Sequence, residues 1–270
     1  METTALDVSD WGYFRFLGRD ARRFLQGLVT ADVERLAPRT MLPACVLTPK
    51  GGLVADAELY AESPESVLAV VRPAAAAGFS RAFETKIMLS QSALKRLSPQ
   101  AWLVVGGDYE TGLPWTRLGQ PARLLLGVDP PPDARLMTRA EFDYLRVAAG
   151  FPWYGADLDE KTLPLEARLD AHVSLDKGCY MGQETVSRLA RVGHVNRLLS
   201  ALSFPSGAPA AGTALARDGK EAGKVTSVAG ALGLGFVRVE DAAPGTRLTA
   251  GDLPAEVRGI SSWPKPLGVR

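Results

Sequence analysis

A chain of 270 residues exceeds one ordinary compact core, and 46% hydrophobic with 23% charged residues excludes both a disordered polymer and a membrane-embedded chain. A formal charge of +1 supplies no global field for nucleic acid or acidic membranes, so any anionic ligand has to be held by a local basic cluster. The two cysteines, Cys45 and Cys179, lack the spacing of a disulfide framework or zinc site, and the first residues lack the basic start and apolar run of a leader, so a soluble cytoplasmic protein is expected.

Trp11 to Leu17 alternates like a strand, and Gly18 and Asp20 follow as turn and cap of a helix whose Ala21, Phe24, Leu25 and Leu28 share one face. Residues 43–60 read as two strands about a Pro-Lys-Gly-Gly turn, in which Cys45 sits among apolar neighbours as a packed hydrophobe. Ser66 to Arg72 is a compact apolar strand, and Pro73 opens a helix striped by Phe79, Phe83 and Ile87. Apolar runs at Trp102–Val105 and Leu124–Val128 continue an α+β pattern that Asp129–Asp133 interrupts. Thr138 and Glu141 have capping-box spacing, which predicts a helix carrying Phe142 and Leu145 and ending near Gly150.

After residue 197 the texture changes to short β-type runs divided by Pro/Gly clusters and an Asp218-Gly219 turn, the pattern of a small barrel or sandwich. The expected division is an α+β region over 1–194, in two intertwined lobes with a break near 129–133, and a β domain over 195–270.

The densest chemistry lies in Lys177-Gly178-Cys179-Tyr180-Met181-Gly182-Gln183-Glu184, continuing to Arg188. Lys177, the glycine-bracketed turn and a helix starting near Gln183 would all favour a thiolate at Cys179, although a lone cysteine also suits a packed interior. Glu184 and Arg188 are one helical turn apart and suit either a surface pair or a ligand contact. Lys177, Arg188, Arg191 and Arg197, with His194, form a basic stretch that suits a carboxylate-bearing ligand or a solvated face. His172 and His194 are too far apart in sequence for local pairing, and no metal site is assigned to them.

The segment DKGCYMGQETVSRL resembles the KGCYxGQE signature of the YgfZ family, folate-binding relatives of the glycine-cleavage aminomethyltransferase. The similarity extends through DWGYFRFLGRDARRFLQGLVTADV, LTPKGGLVADAELY and RVAAGFPWYGADL, nearly the whole chain. The resemblance implies an α+β, three-unit cloverleaf of the aminomethyltransferase-like folate-binding fold with a C-terminal β-barrel. It implies tetrahydrofolate or a one-carbon derivative as cofactor, and iron–sulfur client enzymes or assembly factors as partners, including enzymes that modify tRNA; direct nucleic-acid or membrane binding is not expected.

Under that resemblance Cys179 is the working thiol with Lys177 beside it. Trp11 is an aromatic shelf for the pteridine, and Phe142 stands where a second tryptophan can occur. Asp56, Arg146, Glu166, Tyr180, Gln183, Glu184 and Arg188 complete the cofactor-binding set, although Asp56 also suits a hairpin surface, and Lys50 and Glu166 suit an ordinary turn and helix. Where true aminomethyltransferases carry a pterin-reading glutamate this chain has Ala148, and of their paired aspartates it keeps only the second, with Ala55 before Asp56. The rival readings are an aminomethyltransferase and a non-catalytic folate-sensing interaction protein.

Overall fold

The computed structural model describes residues 2–88, 90–107, 109–260 and 263. The chain packs as two units, one of Met1–Thr116, Gln120–Thr138 and Ala171–Thr185, the other of Arg117–Gly119, Arg139–Asp170 and Val186–Arg270.

In chain order the first unit contains β1 (Thr4–Asp7), β2 (Gly12–Leu17), α1 (Ala21–Gln26), β3 (Leu42–Leu47), β4 (Leu53–Ser63), β5 (Ser66–Val71), α2 (Ala76–Ile87), β6 (Ala93–Leu97), β7 (Ala101–Val105), β8 (Leu113–Pro114), β9 (Ala122–Leu126) and β10 (Arg135–Leu136). They form two five-stranded sheets, ordered β3-β4-β5-β2-β6 and β10-β1-β7-β9-β8. The expected hairpin is β3 and β4, and Pro73 opens a short 3-10 turn that leads into α2.

Side chains alternate across the first sheet, and this gives it two chemically different faces. Phe14 lies opposite Ala69, and Ala69 opposite Leu59, so these share one face. There Phe14 meets Phe79 and Phe16 meets Phe83, each with ring centroids 4.9 Å apart. Burying each such ring contributes about 1.5–3 kcal/mol. The opposite face carries Tyr13, Val70 and Glu58 in one row and Cys45 opposite Asp56 in the next. All of these are 0% exposed, so that face buries acids and a thiol within the unit.

Next in the chain come α3 (Arg139–Ala148) and α4 (Gln183–Arg191), then β11 (Arg197–Ser203), β12 (Ala214–Arg217), β13 (Lys220–Ala229), β14 (Leu232–Arg238), β15 (Arg247–Ala250) and β16 (Leu253–Arg258). The last six close a barrel ordered β11-β14-β13-β12-β15-β16, filled by Leu198, Leu202, Leu215, Val225, Val237, Leu248 and Val257. The architecture is therefore α+β with a C-terminal barrel, as expected. The barrel strands start at Arg197, and residues 139–170 pack in the same unit as the barrel, while 129–133 lie inside the first unit. Among the described residues no helix is long and apolar enough to cross a membrane.

Candidate functional site

The signature segment is held by main-chain contacts within the first unit. Residues 29–31 lie against β3 through a Val29–Val46 bridge and a bond from Thr30 N to Cys45 O of 2.9 Å. The buried Thr30 hydroxyl donates to His172 O at 2.5 Å and accepts from Cys45 N at 2.8 Å, and Ser174 N donates to Thr30 O at 2.9 Å. Lys177 then places its ammonium on Val29 O at 2.9 Å and Ala31 O at 2.7 Å. A buried cation is tolerated there because two carbonyl dipoles replace water.

Lys177 was expected to favour the Cys179 thiolate, and its hydrogen bonds go instead to these two carbonyls. Its side chain ties the start of the motif to the 29–31 segment, while Cys179 itself is exposed to solvent. Gln183 also has a local task, since its side-chain oxygen accepts from Tyr180 N at 3.3 Å across the start of α4. Glu184 and Arg188 are exposed.

Beyond Cys179 the chain closes onto the β3–β4 turn. Thr185 donates to Lys50 O at 3.0 Å, so the backbone of Lys50 makes the contact. Gly182 has φ +80°, and a Cβ there would stand 2.7 Å from Thr48 O and 2.9 Å from Leu47 Cβ. Gly182→Ala therefore meets both left-handed strain, worth about 1–2 kcal/mol, and a backbone clash. Urea denaturation is expected to show a loss of at least about 2 kcal/mol; an unchanged midpoint would mean the segment is free to lift off the turn.

Tyr180 is 6% exposed, and its hydroxyl has no hydrogen-bond partner among the described residues. Burial, with Cys45 nearby acting in the same sense, pushes the phenol up to about 12. Burial also pushes the Lys177 ammonium down to about 8, against the opposing pull of Asp32 and Glu34. Between about 8 and the ordinary 10.5 the unfolded chain keeps a proton on Lys177 that the folded chain releases, so stability rises with pH across that window. Above 10 the unfolded chain loses the Tyr180 proton while the folded chain holds it, so stability falls toward pH 12; Tyr13, also raised by burial, adds to the fall. Denaturant midpoints from pH 7 to 11 are expected to rise and then fall, with Lys177→Met flattening the rise and Tyr180→Phe reducing the fall.

The remaining expected contact residues are buried within their own units. Trp11, expected as a shelf for the pteridine, is 3% exposed, with the Arg72 guanidinium 4.3 Å from its ring centroid and Trp115 at 5.8 Å. Arg72 is paired with Glu58, and both are 0% exposed. Asp56 is buried on β4, which corrects the hairpin-surface alternative.

In the second unit Phe142 is fully buried, edge-on to Trp153 at 5.5 Å. Arg146, expected to meet a ligand, has all three guanidinium nitrogens engaged, with Asp143 at 2.6 Å, Asp157 at 2.9 Å and Ser227 at 3.0 Å. Glu166 accepts from Arg197 at 3.1 Å. Among the described residues no group of three His, Cys, Asp or Glu side chains is placed to hold a metal. Thr30, Glu58 and Arg72 were not singled out from the sequence; an acid at the centre of an apolar strand is the signal that would have found Glu58.

Residues 188–265 match the family model described as the CAF17 C-terminal beta-barrel domain. A chloroplastic protein of Arabidopsis thaliana, known only by likeness as a transferase, is 33% identical over 132 residues, which is 47% of this chain but only 30% of that protein's length. An aminomethyltransferase of Nostoc sp. is 25% identical, covering 94% of this chain and 80% of its own. The crystal structure of the glycine cleavage system aminomethyltransferase T from Bartonella henselae superposes with a TM-score of 0.80 at 16% identity, covering 96% of this chain and 86% of that one. This chain thus has the aminomethyltransferase fold and carries a CAF17-type C-terminal β-barrel.

Proposed function

We propose that this chain is a tetrahydrofolate-binding accessory protein that supports assembly or repair of iron–sulfur enzymes, including those that modify tRNA, with Cys179 as its working thiol. The observation that carries the reading is the contrast along three residues: Lys177 is locked to main chain, Cys179 is exposed, and Tyr180 turns a buried hydroxyl inward without a partner. Such an arrangement presents a thiol at a fixed place while leaving an unsatisfied polar group inside the same unit. A buried hydroxyl without a partner is a cost that a bound polar ligand removes.

Folate fits these residues. Tyr180 lies near Cys45, and Asp56 is the cross-strand neighbour of Cys45. Tyr180 and Asp56 are the residues of the first unit that would hold the donor and acceptor edge of a pterin. Bound tetrahydrofolate supplies one-carbon carriage; the chain supplies the pterin contacts, the exposed thiol and the carbonyl anchor that keeps it in place.

The likeness to aminomethyltransferases favours a second reading, aminomethyl transfer, against which stand Ala55 and Ala148. Calorimetric titration with tetrahydrofolate, joined to a glycine-cleavage assay on the same sample, separates them. Binding without turnover is the expected result, turnover would establish the transferase, and absence of both would remove folate from the account.

A further inference from the structure

The outer wall of the barrel carries a groove of about 950 Å³, bounded by residues 192–197 and by β13 and β14. Leu198 and Val237 point into the barrel core, so their neighbours Arg197, Phe236 and Arg238 point outward. Arg197 and Arg238 are direct partners across the β11–β14 ladder, and Lys224 is the partner of Phe236 across β13–β14. Three cations therefore occupy adjacent positions on neighbouring strands, spread over about 10 Å at ordinary strand spacing.

Like charges directly opposite in a ladder destabilise it. Glu166 relieves Arg197 at 3.1 Å, and the Arg197 guanidinium rests 4.6 Å over Phe236. Arg238 and Lys224 are exposed and have no ion-pair partner among the described residues, although Glu221 and Glu240 also line the groove. A cross-strand arginine pair with an unneutralised lysine beside it is a poor choice for stability and a good one for an anion that spans strands.

We propose that this groove binds an extended polycarboxylate, a row of carboxylates laid across β11, β14 and β13 over Arg197, Arg238 and Lys224. The spacing of the cations favours several linked carboxylates over one compact anion, and the acidic rim of Glu221 and Glu240 disfavours the denser charge of phosphate. Two sources offer this chemistry, a γ-linked oligoglutamate tail on a small molecule and an α-linked run of acidic residues.

The test titrates the intact protein at low salt with γ-linked pentaglutamate, α-linked pentaglutamate and inorganic phosphate. Binding of either peptide supports the site and assigns its source; binding of neither, or of phosphate alone, overturns it. Arg238→Gln is expected to weaken peptide binding at least tenfold while leaving the melting temperature equal to or above that of the parent, since a repulsive pair is relieved. Arg247→Gln, on the exposed side of β15, is expected to bind as the parent does. Unchanged affinity in Arg238→Gln, or lost affinity accompanied by a lower melting temperature, would return Arg238 to a structural role and end the proposal. Tetrahydrofolate titration reads the first unit separately, so failure here leaves that reading untouched.

Discussion

Glu58→Ala is expected to destabilise the protein by about 3–5 kcal/mol, because it removes the acid that pairs with the Arg72 guanidinium in a place water does not reach. Both side chains are 0% exposed, and the cation lies against the rings of Trp11 and Trp115, at 4.3 and 6.0 Å from their centroids. Those rings soften the cost through their negative faces, yet a cation–π contact contributes about 2 kcal/mol in a desolvated setting, less than the loss of the acid. The double replacement Glu58→Leu with Arg72→Met should recover much of the loss, since burying a pair is often neutral relative to apolar side chains of similar volume. Urea denaturation of the single and double variants checks both points. A single variant within about 1 kcal/mol of the parent would mean that Arg72 finds another counter-charge.

Cys179→Ala and Cys179→Ser are expected to abolish support of iron–sulfur enzymes in cells lacking the protein, while changing folding stability by no more than about 0.5 kcal/mol, as suits an exposed side chain. The two cysteines provide their own comparison. Cys179 is open to an alkylating reagent in the folded protein, whereas Cys45 is 0% exposed in β3 and should react only after unfolding. Full restoration of client enzyme activity by Cys179→Ala would make the thiol dispensable and leave the signature a purely architectural motif. Faster labelling of Cys45 than of Cys179 in the native state would contradict the packing of β3.

Much of the fold was legible because it is written in local pattern. The β3–β4 hairpin follows from two apolar runs about Pro-Lys-Gly-Gly, α2 from the spacing of Phe79, Phe83 and Ile87, and the barrel strands from short β-type runs between Pro/Gly clusters. What stayed hidden depends on contacts distant in sequence. The carbonyls that hold Lys177 lie 148 and 146 residues away, and nothing local to Lys177 distinguishes an ammonium aimed at a thiol from one aimed at main chain. Asp56 and Glu58 break the apolar run of β4, and polar residues in a strand ordinarily mark its wet face; here both faces are dry. Arg146 entered through the family resemblance alone, and the partner that completes its bonding, Ser227, sits 81 residues further on.

The grip of Lys177 has a consequence for sequence variation. An ammonium that donates to carbonyls does not read the side chains of the residues it holds, so Val29 and Ala31 are constrained by packing alone and should tolerate other apolar residues of similar volume. The lysine has no such freedom. An arginine there would bring a planar fork of five donors to a place shaped for a compact point charge between two carbonyls, so this exchange of one cation for another is among the least conservative the motif can suffer.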